Sequence, residues 1–372
     1  NSMMRTAEGA VSSTVEILKT LKEKAINAAN DTNTDEDRRT IQKEINQMVD
    51  QIDDNALATY NGKYLVDGSR NSVGTATCTT LSNSALSTET KWASALTSIQ
   101  NRMGESLNIQ STDKLTVSYV RQGRTYTTTF EVGTNTLVDI LDKAAFNGSE
   151  SFAGKDLLDS ASTQNKAYIG KDKAGNSIFT ADNKTAISIA AAGSGTTYQI
   201  SSFTLSVMDN SGTLRKTANN ALDMFNERIR AENKSEDNAL VLQTGTKANQ
   251  AIKVSMTDMR SLALGLKGTD GSVLSVQTQD RANAAINTID SALQKALDEQ
   301  ANIGAVQTRL AYTSSNLSTA SENVQNSEST IRDADMAKEM TNYTKNNVLL
   351  QAAQSMLAQA NQNSSAVLSL LQ

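Results

Sequence analysis

Apolar residues near the start of the chain recur at steps of three and four. Val11, Val15, Leu18, Leu21, Ala25 and Ala28 share one face, and this spacing predicts an amphipathic helix. Asn30-Asp31-Thr32-Asn33 interrupts it. Thr34 then has the character of an N-cap, with Asp37 three residues on in a capping-box pattern. Asp35, Glu36 and Asp37 fill the first turn of a second helix, where the helix dipole favours negative charge. Ile41, Ile45, Met48 and Ile52 form its predicted buried stripe. Tyr60-Asn61-Gly62-Lys63-Tyr64 follows, and Asn-Gly at its centre predicts a tight hairpin.

The pattern changes between residues 72 and 235. Residues 115–120 and 126–132 alternate as strands do, with a turn at Gly123 between them. A short helix is predicted over Leu137 to Ala145, and further strands over Ala186 to Ala190 and Phe203 to Met208. Eleven of the fifteen aromatic residues lie between Trp92 and Phe225, so the large rings of a compact core are concentrated here. Both ends of the chain bury aliphatic seams instead. The expected fold class is mainly α, a long antiparallel bundle or coiled coil built from both termini, with an inserted, outer α/β or β-rich domain of unknown strand order.

The C-terminal third is the most regular part. Ile289, Ala296, Ile303, Leu310, Leu317, Val324 and Ile331 recur at strict seven-residue steps, a period that favours helices wrapped in a left-handed supercoil. The companion seam is poorer, because Gln300 and Gln307 interrupt it after Leu293. This predicts packing into a bundle with the N-terminal helices rather than a free zipper. No charged side chain appears after Lys345. Leu349, Ala353, Met356, Leu357, Ala360, Val367, Leu368 and Leu371 leave the last helix apolar over much of its surface. Such a helix is normally buried, so it calls for a partner.

Composition narrows the chemistry. The chain has 372 residues, no histidine, no proline and one cysteine, Cys78. Without histidine there is no Ser-His-Asp or Cys-His arrangement and no imidazole zinc site, and one cysteine allows neither an internal disulfide nor a thiolate cluster. A proline count of zero, against about 19 at average usage, suits long unbroken helices. A net charge of −5 gives no electrostatic reason to expect nucleic acid or an anionic membrane, and no apolar run reaches the roughly 18 residues of a membrane span. The start carries no signal-peptide core. The acidic pairs Asp139/Asp142 and Asp156/Asp159 have the spacing of solvated helix faces. Gly148 and Gly154 are wrongly spaced before Lys155 for a phosphate loop. Asp172-Lys-Ala-Gly-Asn176 is expected to be a turn rather than a calcium loop, and Asn183-Lys-Thr185 is too short a pattern to indicate a glycan. Neither an enzyme nor a cofactor or metal site is expected.

The stretches Arg5-Thr-Ala-Glu-Gly-Ala10, Ala29-Asn-Asp-Thr-Asn33, Ile41-Gln-Lys-Glu-Ile45 and Tyr60-Asn-Gly62 resemble the N-terminal conserved region of bacterial flagellins. At the other end the resemblance runs through Leu242-Gln-Thr-Gly245, Asp258-Met-Arg260, Leu264-Gly265 and Ile303-Gly-Ala-Val-Gln307. It continues with Arg332-Asp-Ala-Asp-Met-Ala337, Leu357-Ala-Gln-Ala-Asn361 and Val367-Leu-Ser-Leu-Leu371. Together these span roughly 70 residues at the front and 135 at the back. The division this implies is 1–71 and 236–329 as the two parts of the helical core, 72–235 as a variable insert, and 330–372 as an inner-tube helix.

The resemblance implies a structural subunit that self-assembles into the extracellular flagellar filament for motility. It also implies export without a cleaved signal peptide and a cytoplasmic chaperone that holds residues 330–372. A hook-filament junction protein, or an adhesin or glycan-binding module on the same scaffold, are the alternatives. Flagellins of this kind begin with a further stretch ahead of the motif at Arg5, so the chain as given is expected to stay soluble and not to polymerise alone. Some flagellins carry a metalloprotease in the insert, which needs His-Glu-x-x-His and is excluded here. In flagellins sensed by the vertebrate Toll-like receptor, the contact face carries an arginine and a leucine on the first helix and a glutamate on the second. Those positions fall at Thr20, Lys24 and Glu44, where the glutamate alone is kept, so receptor signalling is expected to be weak.

Overall fold

The structure is a computed structural model and describes residues 2–144, 164–245, 247–333 and 335–370. Helix α1 (Ser2–Ala29) buries Met4 and Ala7 together with the six apolar residues of the expected face. Helix α2 (Asp35–Ala56) starts with a complete capping box. The Thr34 hydroxyl accepts from the Asp37 N–H, and the Asp37 carboxylate accepts from the Thr34 N–H. These bonds hold the Asp37 carboxyl below its usual range. The buried stripe of α2 is Ile41, Ile45, Val49 and Ile52, whereas Met48 is half-buried at its edge. Arg38 turns back from α2 to donate to the carbonyls of Ala28 and Asn30, at 3.0 Å each, satisfying free carbonyls at the end of α1.

Strands β1 (Thr59–Tyr60) and β2 (Lys63–Tyr64) form the expected hairpin. Asn61 (φ 50°) and Gly62 (φ 72°) supply the two successive left-handed residues of a type I′ turn.

The middle of the chain holds β3 (Thr80–Asn83), β4 (Lys114–Arg121), β5 (Arg124–Glu131) and α3 (Leu137–Ala144). It continues with β6 (Gln164–Lys166), β7 (Tyr168–Lys171), β8 (Ser177–Phe179), β9 (Ala186–Ala190), β10 (Ile200–Met208), α4 (Lys216–Leu222) and β11 (Phe225–Ile229). Two larger antiparallel sheets result, ordered β10-β4-β5 and β11-β3-β9-β6, beside a two-stranded β7-β8 ribbon. Their shared core contains Leu81, Trp92, Leu115, Ile140, Ile189 and Phe203. The β4–β5 turn uses Gln122 (φ 52°) and Gly123 (φ 70°). A Cβ on Gly123 would come within 2.4 Å of the Ser272 carbonyl, so the turn can lie against that loop only as glycine.

The two longer expected strands and the short helix are present, apart from Ala145, which lies outside the described residues. So do Asp156, Asp159, Gly148, Gly154 and Lys155. Asp139 is the capping acid of α3, accepting from the Thr136 N–H and hydroxyl at 2.7 and 2.8 Å, which holds its carboxyl below the usual carboxylate range. Asp172 closes a turn with Asn176, as expected from the spacing.

The chain then returns through β12 (Leu240–Gln243), β13 (Ala251–Val254) and α5 (Ser261–Leu264) to two long helices, α6 (Gln279–Arg332) and α7 (Met336–Leu370). A second core joins the apolar faces of α1 and α2 to Leu65, Val66, Ile252, Met256 and the first half of α6. Two compact units divide at Ala311/Tyr312, within α6.

Candidate assembly surfaces

The heptad seam of α6 passes through two environments. Ile289, Ala296 and Ile303 are fully buried among the aliphatic residues of α1 and α2, and Leu310 packs half-buried against the same cluster. Gln307 departs from the seam for a reason the structure supplies: its side-chain amide donates to Glu8 of α1 at 2.8 Å. Beyond Ala311 the seam emerges. Leu317, Val324 and Ile331 are 41%, 68% and 84% exposed.

Helix α7 buries no described residue, and all of them but half-buried Asn347 are exposed. Leu349, Met356, Leu357, Val367 and Leu368 are each more than half exposed, and the smaller Ala353 and Ala360 are exposed too; Leu371 lies outside the described residues. At about 3.6 residues per turn, Leu349, Leu350, Ala353, Met356, Leu357, Ala360, Val367 and Leu368 lie within about a third of the circumference. Asn347, Gln351, Gln354, Gln359, Asn361, Gln362 and Asn363 lie outside that arc. The helix therefore has an apolar side and an amide side and carries no charge on either after Lys345. A contiguous apolar surface of this extent marks an interaction site. No helix among the described residues is long and apolar enough to cross a membrane.

On the opposite end of the sequence, Lys24 and Glu44 meet across α1 and α2 in an ion pair of 2.5 Å. Thr20 sits one turn before Lys24, half-buried, its hydroxyl donating to the Glu16 carbonyl at 3.1 Å. The three residues share one patch, but the carboxylate in it is already paired.

Residues 1–71 match the model of the bacterial flagellin N-terminal helical region, and residues 286–371 match that of the bacterial flagellin C-terminal helical region. A flagellin of Clostridium tyrobutyricum is 32% identical over 363 residues, covering 97% of this chain and 81% of its own. The chain belongs to the bacterial flagellin family. A Bacillus subtilis flagellin is 44% identical over 149 residues, which is 36% of this chain and 49% of that one. The solved structure of FliC from Burkholderia pseudomallei is similar over 83% of this chain and 98% of its own, at 18% identity and a TM-score of 0.30. This flagellin is a structural subunit of the flagellar filament, polymerises with other flagellin subunits, and belongs to the extracellular part of the flagellum.

The middle of the flagellin chain is tied to α6 by polar contacts that no sequence pattern signals. Glu227 of β11 pairs with Lys295 of α6 at 3.3 Å, with side chains only 9% and 7% exposed. Arg230 pairs with Asp298 one turn further on. Glu299 is buried and accepts from the Thr257 hydroxyl at 2.8 Å, and its burial pushes its carboxyl pKa up.

Asp223, just after α4, accepts from the Asn287 amide at 3.3 Å. Burial of its inner side raises its pKa to about 6, while hydrogen bonds from Asn287 and the Leu205 backbone pull the other way. The folded state thus holds this proton more tightly than an unfolded chain does. Its contribution is fully present below the unfolded carboxylate value, about 3.9, and is lost as pH rises through 6. Asp223→Asn should therefore raise the Tm at pH 7.5 by roughly 1–3 °C and leave it unchanged near pH 4. The effect is small because the outer edge of Asp223 stays in water. Calorimetry at both pH values tests this, and an equal shift at both would mean that ionisation is not the cause.

Proposed function

We propose that the apolar side of α7 is the surface through which this flagellin packs against neighbouring subunits inside the filament. The observation that carries this reading is an exposed helix that bears no charge after Lys345 and presents a continuous apolar side. Leu349, Ala353, Met356, Leu357, Ala360, Val367, Leu368 and Leu371 form this segment. The exposed part of the α6 seam, Leu317, Val324 and Ile331, offers further contact area. Its buried part, Ile289, Ala296, Ile303 and Leu310, holds the helical core. Assembly is open and helical, built from head-to-tail contacts that do not close into a ring.

The same surface gives residues 330–372 a second role. A helix of this kind should not stay free before export, so the segment is held by the flagellar export chaperone, and the chain leaves without a cleaved signal. In this division 1–71 and 236–329 make the core, and 72–235 is the outward insert. The subunit performs no catalysis. Binding of the full chain to a flagellin-type export chaperone, measured by calorimetry, tests the second role. Removal of residues 346–372 should abolish that binding, and undiminished binding would overturn the reading.

Signalling through the Toll-like receptor is weak. Thr20 and Lys24 replace the arginine and leucine of the contact face, and Glu44 is engaged by Lys24. Receptor affinity equal to that of a strongly stimulating flagellin would overturn this.

A further inference from the structure

A cleft of about 1300 Å³ opens where the α4–β11 stretch, the loop at Asn101–Met103 and one face of α6 converge. Small-molecule pockets usually hold roughly 300–1,000 Å³, so this one suits an extended ligand. From α6 it takes Asn287, Asp290, Ser291 and Gln294, whose steps of three and four place them side by side.

The charges on its walls balance, three cations against three anions, and nearly all are already held by fixed partners. Arg102 is bound by Asp182 and by the carbonyls of Leu86 and Thr185. Arg230 is bound by Asp298, Glu227 by Lys295 at 3.3 Å, and Asp290 by Lys22 at 2.7 Å. Asp223 accepts from Asn287, which leaves Lys216 as the cation without an ion pair among the described residues. An ionic ligand would have to compete with these pairs, whereas a neutral one would leave them intact.

The uncharged groups are less occupied. Thr217, Asn220 and Ser291 carry no side-chain hydrogen bond among the described residues, and together they offer both donors and acceptors. Beside them stand apolar surfaces. Met103, Leu214 and Met224 are 88%, 50% and 50% exposed at the rim, and Phe225 lies half-buried in a T-shaped contact with Phe203. Hydroxyl and amide groups alternating with apolar patches complement a pyranose ring, which presents hydroxyls at its edge and C–H groups on its face. Methionine adapts its shape to such a face.

We propose that this cleft binds a neutral oligosaccharide of about three sugar units or more, with Asn220, Ser291 and Thr217 hydrogen-bonding its hydroxyls and Met103, Met224 and Phe225 covering its ring faces. The proposal is independent of filament assembly, because none of these residues lies on α7 or on the exposed part of the α6 seam.

The full chain is tested first on an array of neutral, sialylated and sulfated oligosaccharides, then by calorimetry with chitotetraose and lacto-N-neotetraose. Binding of a neutral probe is expected, weakened about tenfold by Asn220→Ala or Ser291→Ala. Thr217→Trp, on an exposed position of α4, should fill the cleft and remove binding, with circular dichroism showing the fold unchanged. No neutral binding, binding confined to sialylated or sulfated probes, or binding that survives Thr217→Trp would each overturn the proposal.

Discussion

Replacing Glu227 with alanine should destabilise the flagellin by about 3–5 kcal/mol, the expected loss when one member of a buried ion pair is removed. Lys295 is the reason. Its side chain is 7% exposed, and Glu227 is the carboxylate facing it at 3.3 Å. Without that partner the ammonium group must lose its proton or draw water into the packing between β11 and α6. Lys295→Met alone should be damaging for the mirror-image reason, because it strands a carboxylate that is 9% exposed. The pair is imperfectly satisfied, since one Glu227 oxygen is buried without a hydrogen bond. The double replacement Glu227→Leu/Lys295→Met should therefore return to native stability or exceed it. Urea unfolding of the native chain, Glu227→Ala, Glu227→Leu, Lys295→Met and the double variant tests both predictions, and the Leu single variant closes the cycle. Single variants that lose less than about 1 kcal/mol would show that water already reaches the pair.

This ion pair illustrates what could not be read from the sequence. Repetition made the helical core legible. Val11 to Ala28 and Ile41 to Ile52 recur at helical steps, Thr34 and Asp37 mark a cap, and Asn61-Gly62 marks a turn. Long strands with clear alternation, β4 and β5, were legible for the same reason. Short strands were not. β3 is four residues with every side chain buried, so it shows no alternation, and it pairs with β9 and β11, more than 100 residues away. β11 itself reads Phe-Asn-Glu-Arg-Ile, and nothing local reveals that its glutamate lies inside. The cleft draws on residues near 101, 216–227 and 287–294, which only the assembled fold brings together. The heptad seam is the instructive middle case. Its period is uniform from Ile289 to Ile331, yet it is buried only while α1 and α2 lie alongside. A period predicts which face is apolar, but not what covers it.

Leu357→Asp should abolish filament growth while leaving the unfolding of residues 1–311 unchanged. In the free chain Leu357 is 63% exposed on α7, so its replacement removes no core contact and should shift unfolding by no more than about 0.5 kcal/mol. On the packing proposed above, the same position becomes an apolar contact in the filament. Loss of a buried leucine removes about 1.5–3 kcal/mol, and an unpaired aspartate placed there adds a further penalty of about 2 kcal/mol or more. Together these amount to about 4 kcal/mol per subunit, a rise in critical concentration of about a thousandfold. The sidedness of α7 supplies the control. Gln351 lies on the amide side, so Gln351→Glu introduces a negative charge at nearly the same depth without touching the apolar stripe, and it should affect growth far less. Seeded growth followed by electron microscopy compares the two variants with the native chain. Equal loss in both variants would mean that α7 excludes charge on every side, and that its apolar side is not the contact surface.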